Sequence, residues 1–154
     1  MKHKFDKLDI FTLKLFYCNA RSLKNKVNSL QYLLGSNQYD ILAFVETWLG
    51  SNIDDVTLVG SENSRYIVFR NDRKFTGKGG GAALFIDRKY NPLLIETIEI
   101  MKINTLIVRI SNIILALIYI PPKAAVSVDS ISALLNHLQN YVGNIIPLLL
   151  GILI

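Results

Sequence analysis

Between Asp40 and Glu46 the chain runs through five apolar residues, Ile41-Leu42-Ala43-Phe44-Val45. No polar residue alternates with them, so neither face of such a strand can lie against water. The run calls for cover on both sides, as in a layered α/β domain. Upstream, Leu23, Val27, Leu30 and Leu34 recur at intervals of four, three and four, which places one apolar stripe on a helix. Ser22 is placed to cap that helix through its side-chain oxygen, and Gly35-Ser36-Asn37 to end it. A short β-rich run, 13–18, precedes it. The order strand, helix, strand predicts a parallel pair joined by a helical crossover.

The rest of the chain is rich in β signals. Residues 65–70 and 80–87 read as a hairpin with a long basic loop between them. Three further runs follow at 93–98, 105–110 and 113–120, with Ser111-Asn112 as a two-residue turn between the last two. Asp129 or Ser130 then caps a second helix, whose apolar face is Ile131, Leu134, Leu135, Leu138 and Tyr141. Gly143-Asn144 ends it, and a last strand begins at 145, with Pro147 tolerable near its start. The expected organisation is one α/β domain with mixed sheets over residues 13–154, preceded by a basic lead at 1–12.

Charged residues are 19% of the chain and hydrophobic residues 51%, against about a quarter charged in ordinary soluble domains. A membrane-spanning helix needs roughly 20 apolar residues. The run at 113–120 stops at Pro121-Pro122 and the one at 145–154 is too short, so no membrane span is expected. The basic N-terminus is not followed by a long apolar region, which argues against a signal peptide. Cys18 is the single cysteine; it reads as a small buried apolar residue in a reducing, intracellular compartment, nuclear or cytoplasmic. The formal charge of +5 is concentrated in two segments, 1–26 and 65–89. These segments suit a phosphate backbone, although an ordinary solvated surface has the same composition.

Candidate chemistry sits where apolar runs end. Glu46 closes the 41–45 run, at the strand terminus where ligands gather in open α/β sheets. A carboxylate there can bind a hard cation such as Mg²⁺ through oxygen, or it is a solvated acid at a strand–loop junction. Asn19 also ends a strand, and its amide can hold a phosphate oxygen or satisfy the turn that follows. Tyr119 precedes Pro121-Pro122, and its phenol can donate to a phosphoryl oxygen or simply pack. Gly77-Lys78-Gly79-Gly80-Gly81 lacks the spacing of a phosphate loop and reads as a tight entry to the next strand. His3 and His137 have no metal-ligand spacing, and His137 is assigned a solvated or core role.

Four segments together carry a family resemblance: Asn19-Ala20-Arg21-Ser22-Leu23, Glu46-Thr47-Trp48-Leu49, Gly79-Gly80-Gly81-Ala82-Ala83-Leu84 and Tyr119-Ile120-Pro121-Pro122. In this order the chain resembles the first part of the endonuclease/exonuclease/phosphatase domain, in the branch found in retroelements without long terminal repeats. The resemblance covers nearly all of residues 13–151. It implies a layered α/β sandwich, DNA as partner and Mg²⁺, with Mn²⁺ as an alternative, held by Glu46. It implies Asn19, Glu46 and Tyr119 as catalytic residues and Arg21 as a substrate contact. The basic hairpin adds Arg70, Arg73 and Lys74 as substrate contacts. The family's Arg after the Tyr is replaced by Ile120, and Gly151 is followed by Ile152-Leu153-Ile154 where the family has a Gly-Asp-x-Asn-like loop.

The expectation is therefore an incomplete, C-terminally truncated domain, one sheet and part of another, without nuclease activity of its own. The alternatives are a non-catalytic nucleic-acid or protein interaction module and the translation of a decayed element. On this expectation Leu106, Val108, Ile110, Leu115 and Leu117 lose part of their cover, the 145–150 strand offers an unpaired edge, and the chain self-associates.

Overall fold

Two four-stranded sheets lie face to face, with helices on their outer sides. The computed structural model describes residues 12–72, 79–100, 103–121 and 127–141, and the backbone of 146–150. The elements run β1 (Leu15–Asn19), α1 (Val27–Gly35), β2 (Ile41–Val45), α2 (Asp55–Val59), β3 (Tyr66–Asn71), β4 (Ala82–Asp87), β5 (Leu93–Ile100), β6 (Ile103–Ile110), β7 (Ile113–Tyr119), α3 (Val128–Gln139) and β8 (Ile146–Leu150). The first sheet has the order β1-β2-β4-β3 and the second β5-β6-β7-β8. β1 and β2 pair in parallel, with α1 as their crossover, and the remaining pairs of the first sheet are antiparallel.

Strand alternation places the core. Ile41, Ala43 and Val45 of β2 and Ala82, Leu84 and Ile86 of β4 point inward. They meet Leu106, Val108 and Ile110 of β6 and Leu115, Leu117 and Tyr119 of β7. The alternate residues of the first sheet, Leu42, Phe44, Ala83 and Phe85, face outward against Leu30 and Leu34 of α1 and Leu58 and Val59 of α2. On the other outer face Ile103, Ile118 and Ile120 pack with Leu134 of α3. The layers are thus α/β/β/α, and the five-residue apolar run of β2 is buried throughout because both its faces are covered.

Several sequence expectations are corrected here. Leu106, Val108, Leu115 and Leu117 are fully buried, and Ile110 nearly so, because β2 and β4 cover them. Ser22 caps no helix: α1 starts at Val27 after Lys26, which makes no side-chain cap. The α3 cap is Ser127, whose hydroxyl accepts from the Ser130 amide, rather than Asp129 or Ser130. Of the apolar face assigned to α3, Ile131 and Leu135 are exposed, along with Val128. His137 is partly solvated, with its side chain 36% exposed, and its Nε2 shares a 2.8 Å hydrogen bond with Glu96 of β5, which also accepts from the Tyr141 hydroxyl. α2, capped by Asp54, was not anticipated.

An ionic cluster closes one end of the first sheet. Asp40 and Asp87 are both buried there. Arg65 bonds Asp87 at 2.6 Å through Nε, and Lys89 bonds Asp40 at 2.6 Å. Burial alone would raise the Asp40 carboxyl; the Lys89 ammonium and the Lys14 amide outweigh it and hold the group below its ordinary value of 3.8. The sign follows from proton counting. Below that ordinary value the unfolded chain binds the proton that folded Asp40 resists, so stability rises with pH across this window. The Asp40 contribution is complete above about pH 4 and is lost as pH falls through the lowered folded value. Urea midpoints measured from pH 5 down to pH 3 should fall more steeply for the wild type than for Asp40→Asn; parallel profiles would contradict this role.

Candidate active site

The opposite end of the sandwich gathers the strand termini singled out in the sequence. Asn19 pairs with Val45, Val45 with Ala82, and Ala82 with Asn71, so one row crosses the end of the first sheet. In the second sheet Tyr119 pairs with Asn104. The Asn71 amide nitrogen donates to the Ile98 and Thr105 carbonyls, each at 3.4 Å, and ties the two ends together. Asn19, Glu46 and Tyr119 therefore lie at the same end of the fold.

Beyond β2 the chain is held from both sides. The Ser22 and Leu23 amides donate to the Glu46 and Thr47 carbonyls at 2.8 Å. On the other flank the Thr47 and Trp48 amides donate to the Gly81 and Gly80 carbonyls at 3.3 and 3.0 Å. These bonds explain why Ser22 does not cap α1: its segment continues the β1–β2 ladder around the loop. They also hold Arg21, Ser22, Glu46 and Trp48 at φ of 43°, 83°, 55° and 53°, a left-handed conformation that costs non-glycine residues about 1–3 kcal/mol each. The rest of the loop over-determines it.

Among the described residues the Glu46 carboxylate is held through one oxygen. Its Oε2 accepts from the Trp48 indole N–H at 2.5 Å and from the Gly80 amide at 3.0 Å. No hydrogen bond among the described residues reaches Oε1. Among the described residues no Lys or Arg pairs with this carboxylate. Asn19 Oδ1 accepts from the Arg21 amide at 3.2 Å, and no bond from its amide nitrogen is found among the described residues. The Arg21 side chain is exposed. Lys26 Nζ bonds the Ala20 and Arg21 carbonyls and so braces the backbone of this loop. Tyr119 is 2% exposed and packs in the inter-sheet core with Val45 and Ala82.

The basic residues assigned to substrate separate. Arg70 is engaged elsewhere: its guanidinium donates to both Asp72 oxygens, to Asp55 Oδ1 at 2.9 Å, to the Ile53 carbonyl at 2.7 Å and to the Gly50 carbonyl at 3.1 Å. All five N–H donors of an arginine are thereby used. Burial works against its charge, but the Asp72 and Asp55 bonds prevail and hold it protonated beyond its ordinary range. Arg70 ties the 50–55 loop to β3 and has no donor left for phosphate. Arg73 and Lys74 lie outside the described residues.

Trp48, Gly80 and Thr47, which lie in the quoted motif segments, surround Glu46 but were given no role of their own from sequence. The signal available was the run of three glycines, which marks a strand entry and one segment of the resemblance. Gly79, Gly80 and Gly81 all have positive φ, at 107°, 80° and 84°, and this lets the Gly80 amide approach Glu46. A Cβ on Gly81 would stand 2.5 Å from Thr47 Oγ1.

A hard cation fits this donor set as a water-rich ion. Among the described residues no three His, Cys, Asp or Glu come together. Mg²⁺ keeps several waters and takes one or two carboxylates plus substrate phosphate, and Glu46 Oε1 meets that requirement.

The two facing sheets with flanking helices define the class: this is the fold of the endonuclease/exonuclease/phosphatase-type enzymes. Among solved structures the chain is similar to a Neisseria 3′ phosphatase, NExo, bound to product DNA hairpin, at TM-score 0.69 and 16% identity over 91% of this chain and 57% of that one. It is likewise similar to the 3′-5′ exonuclease NExo of Neisseria meningitidis (TM-score 0.67, 16% identity, 90% and 57% covered). An AP endonuclease from Archaeoglobus fulgidus follows at TM-score 0.52 and 16% identity, with 86% of this chain and 51% of that chain covered. The chain thus spans less than two thirds of these structures. No protein-family model matches it, and no curated protein does. Among the described residues no helix is long and apolar enough to cross a membrane.

Proposed function

We propose that this chain is the N-terminal part of a Mg²⁺-dependent DNA endonuclease domain of the retroelement type, with Mn²⁺ able to substitute, and that its reaction class is phosphodiester hydrolysis. The observation that carries the reading is the half-occupied Glu46 carboxylate at the common end of both sheets, beside Asn19. The retroelement branch rests on Glu46-Thr47-Trp48-Leu49 and Tyr119-Ile120-Pro121-Pro122. A cation held at Glu46 Oε1 supplies Lewis-acid stabilisation of charge developing on the phosphoryl oxygens. Asn19 offers its amide nitrogen to a phosphate oxygen, Arg21 an exposed guanidinium to the adjacent backbone, and Arg73 and Lys74 further phosphate contacts. Tyr119 orders the core beneath, with its phenol as the remaining donor.

None of the described residues at this end is placed as a general base, a function that contributes about 10²–10⁴-fold. With Mg²⁺ and supercoiled plasmid the purified chain is expected to produce no nicking above a Glu46→Ala control. Reproducible nicking that disappears in Glu46→Ala would contradict inactivity.

A second reading, a non-catalytic DNA-binding module, is favoured by that same lack of a base together with the two basic segments. Both readings require weak, sequence-independent duplex binding that loses about tenfold or more between 50 and 200 mM salt. Both also require it to weaken when Arg73 and Lys74 are neutralised. No duplex binding at low salt would remove DNA as the partner. Self-association belongs to the same proposal, through exposed Leu93, Leu94 and Ile95 on edge strand β5 and Val128, Ile131 and Leu135 on α3.

A further inference from the structure

We propose that Trp48 is a positioning residue for Glu46: together with the Gly80 amide it occupies one carboxylate oxygen and restricts the site to cations that accept a single-oxygen ligand. The inference rests on the assignment of Glu46 to a cation. Oε2 receives two N–H donors, from the Trp48 indole at 2.5 Å and the Gly80 amide at 3.0 Å, and a carboxylate oxygen has about two lone-pair sites. Any cation therefore meets Oε1 alone. Ca²⁺ takes six to eight oxygens and commonly a bidentate carboxylate, whereas Mg²⁺ keeps a compact octahedron of single oxygens and water. Blocking Oε2 disfavours the larger ion.

The local backbone makes Trp48 able to do this. Glu46 and Trp48 both have left-handed φ, which folds the indole back over the carboxylate two residues earlier. The Trp48 amide is fixed on the Gly80 carbonyl at 3.0 Å, and Gly80 in turn presents its own N–H to Glu46. The loop is thus reciprocal, each partner holding the other. A Trp48 that merely packed would affect stability and leave cation preference alone. Trp48 is also the one tryptophan of the chain, so tryptophan emission comes from the neighbourhood of this carboxylate alone.

The test uses the full chain, with Mn²⁺ as the paramagnetic probe of water-proton relaxation and Mg²⁺ and Ca²⁺ as competitors. The wild type is expected to bind Mn²⁺ and to release it to Mg²⁺ at lower concentration than to Ca²⁺. Trp48→Phe, which removes the N–H and keeps a ring, is expected to weaken Mn²⁺ binding by about tenfold and to narrow or reverse the preference for Mg²⁺. Mn²⁺ binding lost in Glu46→Gln but unchanged in Trp48→Phe, with the same Mg²⁺ preference, overturns the role of Trp48 and leaves the cation site standing. Mn²⁺ binding that survives Glu46→Gln removes the cation site and this inference with it. Should Trp48→Phe not fold, Mg²⁺ titration of the wild type decides: a change in Trp48 emission with the midpoint of Mn²⁺ displacement supports the contact, and unchanged emission overturns it.

Discussion

Gly81→Ala should destabilise the fold by about 3 kcal/mol, combining a left-handed backbone that costs a side chain roughly 1–2 kcal/mol with an overpacking term of roughly 1–3 kcal/mol. Gly81 has φ +84°, and the added methyl would meet Thr47 Oγ1 at 2.5 Å, the Asn71 carbonyl at 3.6 Å and the Trp48 amide at 3.7 Å. The hydroxyl is the only one of these in collision, and it belongs to a buried residue that cannot swing into solvent. That hydroxyl has no hydrogen-bond partner among the described residues, so Thr47→Ala alone should be mild. In the double variant the steric part should return while the backbone part remains. The coupling is read from urea midpoints in a double-mutant cycle. Strictly additive effects would contradict the collision, and with it the close packing of the glycine strand on the Glu46 loop.

Arg70→Met should lower stability by about 2–3 kcal/mol, the scale of hydrogen bonds to charged groups whose partners are then left behind. The side chain is only 12% exposed, while Asp55 is 55% and Asp72 24% exposed; solvent around the partners keeps the loss below that of a fully buried pair. Lysine should not rescue it, because one ammonium cannot reproduce a five-donor fork reaching two carboxylates and two carbonyls. Thermal unfolding checks this. An Arg70→Met chain with the wild-type midpoint but weakened duplex binding would restore Arg70 as a phosphate contact.

The apolar run of β2 carried the architecture in its sequence, because five unalternated apolar residues demand cover on two faces and the structure supplies it. The β1–α1–β2 unit and the β6–β7 hairpin were legible for the same reason: their periods are local. Which runs share a sheet is not local, and so the cover of Leu106, Val108 and Leu117 was misjudged. Strand spacing does not reveal that β2 and β4 lie opposite β6 and β7. Caps failed where a competing partner existed. Ser22 has a capping side chain, but its amide is committed to Glu46, and the α3 cap falls two residues before Asp129. Strand-end logic picked out Asn19 and Glu46, which the structure places at one end of the fold. It did not find Gly80, whose contribution is a backbone N–H that no side chain announces. It did not anticipate the partners of Arg70, since a cation in a basic segment does not show in sequence that Asp55 and Asp72 surround it.

Paramagnetic broadening of backbone amide signals by Mn²⁺ tests most directly whether the Glu46 end is the functional site. At substoichiometric Mn²⁺ the expected result is selective loss of the amide signals of Asn19, Ala20, Glu46, Thr47, Trp48 and Gly80, abolished in Glu46→Ala and reversed by excess Mg²⁺. The signals around Asp40 and Asp87 at the far end should persist. Broadening centred instead on Asp54, Asp55 and Asp72, or on Asp40 and Asp87, and unaffected by Glu46→Ala, would contradict the account.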